Sequence, residues 1–131
     1  MKFLCLGYLD HEKMDSRPET EINAVMRLCQ PHLEEFYNSG QVIMDAGLAL
    51  ESKCLRRENG KVTITDGPFT ETKEMIGSVF LIEAQDMEDA IRVASLHPTT
   101  QVGEGEQFGW RLEIRPIHYF EKKELSETSK F

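Results

Sequence analysis

Few features of this chain favour disulfide, membrane or nucleic-acid chemistry. Its three cysteines in 131 residues, Cys5, Cys29 and Cys54, are odd in number and widely spaced. That argues against a disulfide framework and fits reduced core residues better than a metal site. No apolar run approaches the roughly 20 residues of a bilayer span. The apolar start, Met1 to Gly7, turns polar by Asp10 and His11, too short for a secretion signal, so a cytoplasmic location is expected. Cations are scarce: 15 Lys and Arg stand against 23 Asp and Glu, a net charge of -8. Such a surface repels a phosphate backbone, and no basic stripe with interleaved aromatics compensates, so neither nucleic acid nor membrane is an expected partner. Lys53, Arg56 and Arg57 form a local exception beside Glu51 and Glu58. Gly103-Glu104-Gly105-Glu106 lacks the further glycine and helix of a dinucleotide loop. Asp10-His11-Glu12 has metal-ligand types without a recognised spacing. No cofactor or metal is expected.

What is present is enough apolar material, 40% of the residues, for one core. Phe3, Cys5 and Gly7 alternate with Leu4, Leu6 and Tyr8, which predicts a strand apolar on both faces. Residues 10–18 read as a polar loop. From Pro18, Ile22, Val25, Met26, Cys29, Leu33, Phe36 and Tyr37 recur at three- and four-residue steps, predicting a helix that ends at Asn38-Ser39-Gly40. Pro31 lacks an N–H and crowds the carbonyl of Arg27, so a kink or break is expected there. Residues 42–50 predict a strand, with a bulge or bend at Asp45-Ala46-Gly47. Residues 54–57 and 62–65 flank Asn59-Gly60, the dipeptide of a tight hairpin turn. Residues 76–84 predict a strand. Asp86 caps a helix running to about Leu96, where His97 and Pro98 stop it. Residues 99–108 read as loop and 110–119 as a last strand. The charged residues 121–131 form a tail beyond a single domain, 1–120.

The order predicts an α+β fold, a ferredoxin-like antiparallel sheet with two helices on one face and an extra β-hairpin. Phe3, Phe80, Trp110 and Ile114 offer apolar groups for more than one sheet face, and pairing two such faces would bury them.

Between the predicted strands lies Asp66-Gly67-Pro68-Phe69-Thr70-Glu71-Thr72-Lys73-Glu74. Gly67 permits backbone angles closed to other residues, Pro68 fixes its own φ and disfavours helix at Gly67, and Asp66 supplies a carboxylate. A plain connecting loop accounts for the same residues. Thr70, Thr72 and Lys73 offer two hydroxyls and an ammonium, the elements of an anion pocket, to which Tyr8 adds a phenol. Glu71 and Glu74 fit a solvated loop equally well. Among the histidines, His11 lies in a polar stretch, His97 suits a helix end and its dipole, and His118 lies on the last strand. His32 follows Pro31 on the flank of the apolar helix face near Cys29 and Phe36, where it is either a core-edge side chain or a catalyst.

The nonapeptide resembles the signature of the DGPF subgroup of YCII-related proteins. Gly77 to Glu83, Asp86 to Ala90, His97-Pro98 and Leu112 to Ile117 follow in that family's order, and the similarity spans about residues 1–119. The resemblance implies a dimeric α+β barrel, hence a homodimer in which two sheets meet face to face. It also implies a His–Asp pair, with Asp66 matching the aspartate. The histidine position falls nearer Cys29, one turn before His32, so either His32 takes the role or the pair is lost. A surviving pair suits isomerase or lyase chemistry on a small acid. The alternatives are a ligand-binding domain without catalysis and a protein-interaction module, since relatives are often encoded beside sigma factors.

Overall fold

The computed structural model describes residues 1–68 and 73–126. Six strands and four α-helices follow in the order β1 (Lys2–Asp10), α1 (His11–Asp15), α2 (Glu19–Asn38), β2 (Val42–Gly47), β3 (Ser52–Glu58), β4 (Lys61–Gly67), β5 (Glu74–Glu83), α3 (Met87–Ala94), α4 (Pro98–Gln101) and β6 (Arg111–Pro116), with a 3-10 helix at Gly103–Phe108. β2, β5, β1 and β6 make one antiparallel sheet in that spatial order, and β3 and β4 make a separate two-stranded ribbon. This is the ferredoxin-like α+β plan with an inserted hairpin.

Alternation along β1 sets the layers. Phe3 and Cys5 point to the helices and are fully buried, opposite Ile82 and Phe80 of β5. Phe36 of α2 and Ala90, Val93 and Ala94 of α3 close over them, with Phe36 edge-on to Phe80 at 4.8 Å between ring centres. A second cluster joins Val25 and Cys29 of α2 to Val102 and Phe108, with Met14, Ile22 and Trp110 packed against it. Phe3, Phe80, Ile114 and Trp110 therefore all serve the helix-covered side. The opposite face carries Leu4, Leu6, Val79 and Leu81, paired in register and absent from both clusters.

Several local features follow from sequence chemistry. Asn59 and Gly60 take φ of 51° and 77°, the left-handed pair that a two-residue hairpin turn demands. Asp86 caps α3 by accepting from the Asp89 N–H at 2.8 Å. α2 opens with Glu19 and Glu21 in its first turn, where the helix dipole favours negative charge.

Other expectations are corrected. α2 continues through Pro31 as one helix of 20 residues, because packing of its apolar face outweighs one lost hydrogen bond. The polar stretch after β1 forms α1, capped by Asp10, whose side chain accepts from the Glu12 and Lys13 N–H groups. Residues 99–108 form α4 and the 3-10 turn rather than open loop. Asp66 and Gly67 remain within β4, and the Gly67–Pro68 peptide is cis. The bulge in the β2–β5 pairing falls between Val42 and Met44, before Asp45. Among the described residues no helix is long and apolar enough to cross a membrane.

Candidate functional site

Where α2 lies over the sheet, the packing leaves a cleft of about 290 Å³, the size of a small organic ligand. Met26, Cys29 and Leu33 of α2 form one wall, Met14 and Trp110 another, and Gly7 and Ser78 lie across it on adjacent strands. A methyl group on the Gly7 Cα would meet Ser78 Oγ on the paired strand, and the serine would have to rotate to admit it. Asp45 to Gly47 of β2 and His97 to Thr99 bring polar groups to this largely apolar space.

His97 is the most constrained of these groups. It is 7% exposed, stacks on Phe80 with ring centres 4.6 Å apart, and meets Phe36 edge-on at 5.2 Å. Its Nδ1 accepts from the Thr99 N–H at 3.2 Å and lies 2.7 Å from Thr99 Oγ1. A backbone donor at Nδ1 assigns the neutral ring's proton to Nε2. Burial pushes the His97 pKa down to about 4, and the charge of Asp45 offsets this only in part. At neutral pH the imidazole is therefore an uncharged N–H donor rather than a base.

Asp45 is half-buried on β2 and accepts a hydrogen bond from the Tyr37 hydroxyl of α2. That bond, with burial and the Asp45 charge, pushes the Tyr37 pKa up to about 12. Cys29 is buried, with Sγ 3.5 Å from the Val25 carbonyl, and burial raises its thiol pKa. It is an apolar wall rather than a thiolate nucleophile.

Of the residues singled out from sequence, Tyr8 lines the cleft, but its hydroxyl donates to Glu113 Oε1 at 3.2 Å and its ring stacks under the Arg111 guanidinium at 4.0 Å. Burial and then the Glu113 bond raise its pKa. Arg111 in turn grips Glu74 through Nε at 2.7 Å and Nη2 at 3.1 Å. Asp66 is exposed on the hairpin and pairs with Lys53, its register partner on β3. His32 is half-buried on α2, and Lys73 is exposed just before β5. None of these three is a wall of the cleft. Thr70 and Thr72 lie outside the described residues. Among the described residues, no group of three or more His, Cys, Asp or Glu is placed to hold a metal ion.

Asp45, Ser78 and His97 do not stand out as site residues in the sequence. The one signal for Asp45 is that it is a carboxylate within an otherwise apolar strand, just before Ala46-Gly47. His97 gave none, because its short-range pattern is that of a helix boundary and its aromatic stacking partners lie 61 and 17 residues away.

An uncharacterised protein of Rhizobium meliloti (strain 1021) is similar, 25% identical over 127 residues, covering 95% of this chain and 98% of that protein. The family model of the YCII-related domain matches residues 1–109, a span that includes every residue lining the cleft except Trp110, which precedes β6. The chain belongs to the YCII-related family.

Proposed function

We propose that this protein is a homodimeric small-molecule-binding domain whose site is the cleft between α2 and the sheet. The observation that carries the reading is the convergence of Asp45, Ser78 and His97 on an otherwise apolar cleft of about 290 Å³. Apolar walls supply affinity, while a few fixed polar groups supply orientation. The protonation states favour binding over acid–base chemistry in the cleft: His97 is neutral with a depressed pKa and the Cys29 thiol is held protonated. The test is a fragment library followed by amide and methyl NMR. Hits should shift the Trp110 indole and the Met14 and Met26 methyls, and Gly47→Phe, at a wall position where a Cβ meets nothing within 4 Å, should abolish those shifts. A library that leaves all of these signals unmoved removes the reading.

Two observations support the dimer. Leu4, Leu6 and Val79, each half-buried, form an apolar sheet face outside both core clusters, which a second sheet would cover. The hairpin exposes Leu55 (67%), Val62 (61%) and Ile64 (64%). β3 and β4 also carry four cations against two anions, on a chain of net charge -8. A basic, apolar arm is complementary to the acidic body of a second copy. Sedimentation at micromolar concentration should give twice 15.1 kDa. A monomer there removes the dimer and leaves the cleft untouched.

A further inference from the structure

We infer that the ligand of this cleft is an uncharged hydroxyl compound, an alcohol or phenol with an apolar body, rather than a small acid. The inference rests on the binding reading above and specifies its ligand. Among the described residues the walls contain no Lys or Arg, while Asp45 contributes a carboxylate, so an anionic head would enter without a counter-charge and against a like charge.

Asp45 Oδ2 already accepts from Tyr37, which leaves Oδ1 as an acceptor for a ligand. His97 Nδ1 is committed to Thr99, which leaves Nε2–H as a donor. A hydroxyl group donates and accepts through a single atom, so it is the most compact neutral head that satisfies both, where a carboxamide needs two atoms to do so. A carboxylate cannot donate to Asp45, and an ammonium cannot accept from His97. Met14, Met26, Leu33 and Trp110 offer the deformable, apolar surface that a hydrocarbon or aromatic body fills.

Three probes sharing one body and differing in the head test this: p-cresol, 4-methylbenzoate and 4-methylbenzylamine, titrated into the full chain at pH 7 and followed by NMR at the Trp110 indole and the His97 ring. The expected result is saturable shifts with p-cresol and at least tenfold weaker binding of both charged analogues. In Asp45→Asn the gap between p-cresol and 4-methylbenzoate should narrow, because the repelling charge is gone while the fold, checked by the dispersion of its amide spectrum, remains. Should that variant unfold, His97→Gln serves instead and should weaken p-cresol without improving the benzoate. Equal or tighter binding of the benzoate overturns the hydroxyl assignment and leaves the cleft a binding site, as does a preference for the amine. Silence of all three probes overturns the assignment, and if the wider library is silent too, the binding reading falls with it.

Discussion

Acidification below about pH 6.5 should destabilise this protein through His97. The unfolded chain binds a proton at this side chain near the ordinary histidine value of 6.5, whereas the folded chain resists until about 4, chiefly because the ring is buried between Phe80 and Phe36. Between those values the unfolded state holds one more proton than the folded state, so stability rises with pH there and falls on acidification. At about 1.4 kcal/mol per tenfold change in proton affinity, the full loss is about 3 kcal/mol, spread over the interval from 6.5 down to about 4. Below that the folded ring is also protonated and this contribution is exhausted. Urea denaturation at half-unit pH steps measures the slope, and His97→Gln supplies the reference, because it removes the titrating group while keeping a hydrogen-bonding side chain. The wild type should lose about 3 kcal/mol more than the variant across the window. The groups facing His97 include Asp45 on β2, whose charge raises its pKa, so Asp45→Asn should move the His97 ring titration to still lower pH. Parallel pH slopes for wild type and His97→Gln, or a ring titration near 6.5, would refute the buried-neutral assignment.

Other expectations are more local. Gly7→Ala turns Ser78 Oγ into another rotamer and should cost no more than about 1 kcal/mol by thermal or chemical denaturation, and a larger loss would show that Ser78 is held in place. Pro31→Ala restores an N–H in the middle of α2 at an exposed position, so the melting temperature should rise, by up to about 3 kcal/mol in stability terms, and a fall would show that Pro31 makes a contact of its own. Asp66→Asn should change global stability by less than about 1 kcal/mol, since its pair with Lys53 is exposed. If this variant or His32→Ala nevertheless abolished turnover of a small acid, the His–Asp chemistry implied by the family signature would regain the lead.

Much of the architecture was legible in the chain because its signals are short-range. The Asn59-Gly60 turn, the Asp86 cap and the apolar alternation of β1 each follow from steric or hydrogen-bonding demands met within a few residues. Pro31 misled for the same reason: its penalty is local, and the contacts of Val25, Cys29 and Phe36 that outweigh it are not. The nonapeptide after β4 drew attention by composition, yet Asp66 is a hairpin surface residue paired with Lys53.

Sequence alone therefore determined the order of the six strands and of the two longest helices, the apolar character of β1 and the chain's net negative charge, since each depends on periodicity, turn chemistry or composition. Only the tertiary structure decided where a ligand could sit. Asp45, Ser78 and His97 come from three separate segments and meet because the antiparallel register and the crossing of α2 bring them together. The protonation of His97 is likewise tertiary, because desolvation by Phe36 and Phe80 acts through space and leaves no trace in the residues beside it.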